Sequence, residues 1–155
     1  MASTTIYALL ALQTCHVLFL ALHDWIPLRP LNDVKAVREA NPLGKLLLGT
    51  LISTIPFAIG LVASIFYLGR TYPSWLFWWL WISYILLFIG ELQAWWVPYF
   101  LAPDAVRAAR YQVMFGNTHA FLPARNGIRP NTLHVILHAA TLATLIVLAL
   151  FTLEG

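Results

Sequence analysis

Charge is what this chain has least of. Only 10% of its 155 residues are Asp, Glu, Lys or Arg, against 61% hydrophobic ones, whereas soluble domains carry roughly 25% charged residues. So few charges cannot cover a water-facing surface, which excludes a soluble globule and points to an integral membrane protein of one domain, residues 1–155. Acid is scarcer than base, six residues against nine. The net +3 lies in connecting segments, so it reads as membrane topology and attraction to anionic headgroups, and nucleic acid is not an expected partner. Cysteine is almost missing. Cys15 stands alone, which rules out an intrachain disulfide, and inside an apolar run it reads as a small hydrophobe. The N-terminus lacks a basic region and stays apolar past Cys15, so no cleaved signal peptide is expected. Thr14 is too large before Cys15 for a lipoprotein box. A Gly-rich nucleotide loop, a serine-nucleophile motif and a paired-cysteine site are also lacking.

What is present is four long apolar runs, at about residues 5–26, 46–68, 75–97 and 131–153. Each is near the roughly 20 residues that a helix needs to cross a bilayer. The expected fold is all-α, a four-helix transmembrane bundle. Connections run long, short, long, and eight of nine Lys and Arg residues fall in the two long ones, leaving Arg70 in the short one. The positive-inside rule then puts both long loops in the cytoplasm and both termini outside, with the plasma (inner) membrane as the default location.

A weak internal repeat suggests two helical hairpins. Trp25-Ile26-Pro27 closes the first span as Trp96-Val97-Pro98 closes the third, and each precedes a basic pentad, Val34–Arg38 and Val106–Arg110, at an offset of about 71 residues. Interfacial Trp, a helix stop and a basic surface helix also recur wherever spans enter cytosol, so duplication and convention explain the pattern equally. Pro56 should kink the second span, with Ser53 and Thr54 placed to serve the freed backbone. Gly49, Ser53, Gly60 and Ser64 are small enough for close helix approach. Asn131 is a good N-cap for the last span.

Glu91 is the acid set well inside a span, whereas Asp24 stands at the end of the first. A carboxyl at membrane depth costs at least ~2.5 kcal/mol and normally faces a partner, a cavity or a site. Counting 1.5 Å of rise per residue, His23 and His134 lie roughly 5 Å below the cytoplasmic boundary, Glu91 and His138 roughly 10 Å, and His16 roughly 15 Å. Gln13, His16, His23 and Asp24 share a face of the first span, His134 and His138 one of the fourth, and Tyr84, Glu91 and Trp95 one of the third. Turned inward, they form one polar layer.

Three chemistries fit that layer. His134 and His138 at i and i+4, with Glu91 and His23, would form a zinc or non-haem iron site, although the Glu of His-Glu-x-x-His is missing. Haem b between histidines is the weaker metal reading, because Trp25, Trp95 and Trp96 crowd that level. Without metal, Glu91 and His138, supported by His134, would act as acid, base or anchor for an amphipathic ligand. A network that only fixes helix packing is the plain alternative.

The second long loop keeps Tyr, Phe, Met, Ile and Leu, so it should be ordered, and Asn126-Gly127 marks a tight turn. It should fold back over the helix ends, carrying Asn117, His119, Arg125 and Arg129 above Glu91 to clamp a headgroup, with Trp95 beside them.

The expected function is a small membrane enzyme acting on a lipid-like or isoprenoid substrate. Its catalytic group would be Glu91, His138 and His134. Rival expectations are a proton-linked transport or binding protein, using Gln13, His16, Glu91 and His138 as a polar path within a homodimer, and an accessory subunit of a membrane complex. Membrane lipids are the expected partners in each case.

Overall fold

The computed structural model describes residues 4–154, and the described residues are helical apart from connections and one isolated bridge between Arg125 and Ile128. Four helices are long and apolar enough to cross a membrane. They are α1 (Thr4–Leu22), α3 (Leu43–Phe66), α4 (Ser74–Glu91, carried on to Phe100) and α7 (Thr132–Glu154). Between them lie α2 (Val34–Ala40) and α6 (Ala105–Phe115). The third span does not continue as a plain α-helix after Glu91. Leu92–Trp96 forms a π-helical turn, and a short α5 (Val97–Phe100) completes the span.

The four spans close into a ring, α1 packing on α3 and α7, and α4 on α3 and α7. Its polarity is inside out. Leu47, Leu48, Leu51, Ile52, Ile55 and Val62 of α3 are exposed, while Gln13, His16, Ser64, Glu91, His138, Thr141 and Thr144 are buried. Water would penalise both choices, whereas lipid tails accept the first and force the second. The stripes that face the ring axis carry Gln13 and His16 of α1, Ser64 of α3, Glu91 of α4, and His138, Thr141 and Thr144 of α7.

Pro56 stays within α3. The expected side chains do not reach the carbonyl of Ile52 that Pro56 frees: Ser53 Oγ donates to Thr50 O at 3.1 Å and Thr54 Oγ1 is buried with no hydrogen-bond partner among the described residues. The neighbouring span instead bonds the proline's own carbonyl, Trp79 Nε1 donating to Pro56 O at 2.9 Å. Gly60 is the close approach, since a Cβ there would stand 3.0 Å from Leu80 Cδ2. Gly49 has open space and faces a cleft.

Both basic pentads are helical, and each is started by an aspartate. Asp33 Oδ1 accepts from Ala36 N at 3.1 Å, and Asp104 Oδ1 accepts from Arg107 N at 2.9 Å, each satisfying an amide the first turn leaves free. α2 and α6 pack on one another through Val37 and Met114. Asn41 joins them, donating to Met114 Sδ at 3.5 Å and accepting from Arg110 at 2.8 Å. The two long connections therefore lie at one end of the bundle, which holds eight of nine basic residues and is called the basic end below.

Candidate functional site

The π turn organises the site, and its cause is Pro98. Val97 N donates to Leu92 O, five residues back. Pro98 has no N–H, so Gln93 O in the π register and Ala94 O in the α register both lose their backbone donor. α6 replaces it. Arg107 Nη1 donates to Gln93 O at 2.5 Å and to Ala94 O at 3.1 Å, and Tyr111 OH adds a bond to Ala94 O at 3.1 Å. Burial pushes the Tyr111 phenol above its usual range, with Arg107 and Arg110 pulling the other way, so it keeps its proton and donates this hydrogen bond at neutral pH. Asp104 in turn holds Arg107 at 3.3 Å. The repeat has a fainter echo, where Arg38 reaches Trp25 O at 3.5 Å and lies over the Trp25 ring.

The turn aims two successive tryptophans at α7. Trp95 lies 4.7 Å from the His134 ring, ring centre to ring centre, and packs on Tyr111 and Phe115. Trp96 Nε1 donates to His138 Nδ1 at 3.1 Å. Consecutive side chains of an α-helix diverge by about 100°, yet both rings reach α7 from this turn.

At the basic end a cleft of about 400 Å³ opens among these elements. Its polar walls include His23, Asp24, Lys45, Thr50, Ser53, Arg110, Tyr111 and His134, and Leu46, Trp95, Met114 and Phe115 supply apolar surface. His23 and His134 rings stand 5.9 Å apart, edge to face, in keeping with the equal depth expected of them. Asn131 caps α7 as expected, accepting from His134 N at 3.1 Å, and its Oδ1 also meets His134 Nδ1 at 2.6 Å. A carbonyl oxygen only accepts, so Nδ1 carries the proton and Nε2 of the neutral ring offers its lone pair.

Deeper in, Glu91 meets Thr141 rather than His138. Thr141 Oγ1 lies 2.8 Å from Glu91 Oε1 and 3.0 Å from His16 Nε2, while His16 Nδ1 donates to Leu12 O at 2.8 Å. The third span ends at Phe100, three residues beyond the expected Val97. That places Glu91 roughly 5 Å deeper, at the level reckoned for His16. Thr141 was missed because a threonine in an apolar helix carries no sequence signal. Its spacing of three from His138 is the one available hint. Among the described residues Glu91 Oε2, Gln13 Oε1 and Tyr84 OH are buried without hydrogen-bond partners, and Gln13 Nε2 donates to Ser64 Oγ at 3.0 Å.

The expected metal set does not assemble. Among the described residues no group of three or more His, Cys, Asp or Glu is placed to hold a metal ion. Haem fits no better between His23 and His134. Phe19 stacks on His23 at 4.6 Å, and Trp95 and Phe115 lie 4.7 and 5.1 Å from His134, filling the volume a porphyrin would need.

The loop after α6 folds back over the helix ends, but its cations are engaged elsewhere. Asn126 and Gly127 have φ of 53° and 75°, and Arg125 and Ile128 exchange backbone bonds at 2.9 Å across them, a tight hairpin of the type that Asn-Gly favours. His119 is tied to Thr132 Oγ1 at 2.7 Å and to Pro30 O through its backbone. Arg125 lies over Phe100, Arg129 donates to Ala120 O at 3.1 Å, and Asn117 is exposed. None of these four lines the cleft, whereas Trp95 and His134 do.

Four spans with an apolar exterior and a polar axis define the class, a multi-pass helical membrane protein. No protein family, curated protein or solved structure matches the chain.

Proposed function

We propose that the chain is a small membrane enzyme that receives a lipid-like substrate, isoprenoids included, with an anionic polar end seated in the basic-end cleft. By the positive-inside rule that end faces the cytoplasm. The observation that carries this reading is the make-up of one cleft, where Lys45 and Arg110 stand beside His134 and the His23–Asp24 pair (3.3 Å), with Leu46, Met114, Phe115 and Trp95 alongside. Cations and apolar surface together suit an amphipathic molecule with a negative head. His134 supplies the base. Asn131 orients its ring and leaves Nε2 free, the base–orienter arrangement that general-base catalysis requires. Glu91 and His138 stand outside the cleft walls, so acid–base work on a bound head falls to His134 and His23.

Mass spectrometry of lipid retained by protein purified in mild detergent tests the proposal. An anionic amphiphile should co-purify in about one equivalent, and Lys45→Ala with Arg110→Ala should reduce retention roughly tenfold, the effect of losing about 1.4 kcal/mol of binding. Protein that carries no such amphiphile, and takes none up from anionic nanodiscs, would overturn it.

A further inference from the structure

Below the cleft, the Glu91–Thr141–His16 line allows a count of protons that uses only donors and acceptors. His16 Nδ1 must donate, because Leu12 O cannot. Thr141 has one hydroxyl proton and three acceptors within reach, Glu91 Oε1 at 2.8 Å, His16 Nε2 at 3.0 Å and the Leu137 carbonyl of its own helix at 3.1 Å. Given to Leu137, that proton leaves both Glu91 and His16 to donate to Thr141, each protonated, with a net charge of +1. Two arrangements keep it in the line and satisfy both side-chain contacts. In one, a neutral carboxyl donates to Thr141, which donates to a neutral imidazole. In the other, an imidazolium donates to Thr141, which donates to a carboxylate. They differ only in the position of one proton along the line, and the net charge is zero in both. Passing between them breaks one O–H bond at Glu91, exchanges the proton of Thr141 and forms one N–H bond at His16.

We propose that Glu91, Thr141 and His16 form a buried one-proton site, loaded from the basic end only. Away from that end the axis is closed by Leu9, Leu76, Leu80, Tyr84 and Leu148, each at most 2% exposed. The Tyr84 ring lies 5.1 Å from His16 and is the ionisable group facing it from α4 besides Glu91. α7 contributes His138, one turn nearer the basic end than Thr141, then His134, whose ring is 6.3 Å from that of His138 and 5.9 Å from that of His23 in the cleft. α1 adds no other ionisable group on this face, and α3 carries no ionisable side chain beyond Lys45, at its basic end. The arrangement gives a proton a store with one mouth, distinct from a path across the membrane. It stands independently of what occupies the cleft.

The experiment uses full-length protein in nanodiscs with ¹⁵N-labelled histidine and ¹³C-labelled glutamate, His16 being assigned by the signal lost in His16→Gln. As pH is varied, the His16 ring and the Glu91 carboxyl should respond at the same pH. Thr141→Ser should retain that coupling and Thr141→Val should separate the two curves. His138→Phe should slow exchange of the His16 ring proton at least tenfold, and proteoliposomes should show no proton leak above lipid alone. Independent titration in the unmodified protein, or an unaltered pair of curves in Thr141→Val, would overturn the shared site. Unchanged exchange in His138→Phe, or a proton leak, would overturn the single mouth. Should Thr141→Val fail to fold, the unmodified protein and Thr141→Ser still decide the first point.

Discussion

The two halves of this bundle are built from the same helices under opposite rules. Away from the basic end, Leu9, Leu76, Leu80 and Leu148 meet at the axis with essentially no exposure, and contact is made mainly by shape, with Gln13 to Ser64 the hydrogen bond between α1 and α3. Toward the basic end the same stripes of α1, α4 and α7 present His16, Glu91, Thr141, His138 and His134, and contact is made by hydrogen bonds. Lipid supplies no hydrophobic drive between helices, so the dry half depends on packing and the wet half on donors and acceptors. The dry half closes the axis away from the basic end, and the cleft lies at the basic end.

Substitutions that exchange these rules should hurt most. Leu76→Asp would place an unpaired carboxyl in the dry half, with a loss of several kcal/mol. Size-exclusion chromatography in mild detergent should show it aggregated, and a monodisperse, normally melting variant would break the contrast between halves. Leu80→Ala, which leaves a cavity beside Gly60, should cost about 2–4 kcal/mol and be seen as a lowered melting temperature. Smaller again is the clip between α6 and the π turn. Arg107→Ala should cost roughly 1.5–3 kcal/mol, as for a hydrogen bond to a charged group. It should cost less in a Pro98→Ala background, where the backbone amide returns, and equal losses in the two backgrounds would show that Arg107 does not serve the orphaned carbonyls. Smallest is Gly127→Ala, at about 1 kcal/mol. Its φ of 75° disfavours a side chain, and the added Cβ would stand 2.9 Å from Ala108. Replacing Asn126 by Gly keeps the positive φ but loses the bonds from Asn126 Nδ2 to Tyr99 O at 3.0 Å and Pro98 O at 3.3 Å, and should cost a similar amount, about 1 kcal/mol, seen as a lowered melting temperature.

Much of the layout was legible because it follows from local rules. Runs of apolar residues marked the spans to within a few residues, the basic residues gathered at one end, Asn131 capped α7, and Asn126-Gly127 turned the chain. The pentads were legible as surface helices, though the aspartates that start them passed unnoticed. The site was legible only as a set of residue types. Counting back from Pro98 put Glu91 level with His138, because a uniform helix ending at Val97 was assumed, and a π turn with three further residues changed its level. Arg125 and Arg129 looked free for a headgroup because sequence does not reveal that Phe100 and the Ala120 carbonyl lie within reach. The cations at the cleft are instead Lys45 at the start of α3 and Arg110 of α6, positions that had been read as topology.

By itself, then, the order of residues determined four membrane-crossing helices, the end at which charge collects, and the polar stripes along α1, α4 and α7. These follow from solvation of single residues and the fixed periodicity of a helix. Which stripe residues touch was decided only in three dimensions. Pro98 removes a donor that α6 must replace, the span lengthens past it, and Glu91 comes to rest beside Thr141 and His16. Hydrogen bonds reach about 3 Å, and a shift of one helical turn between neighbouring spans is enough to exchange every partner.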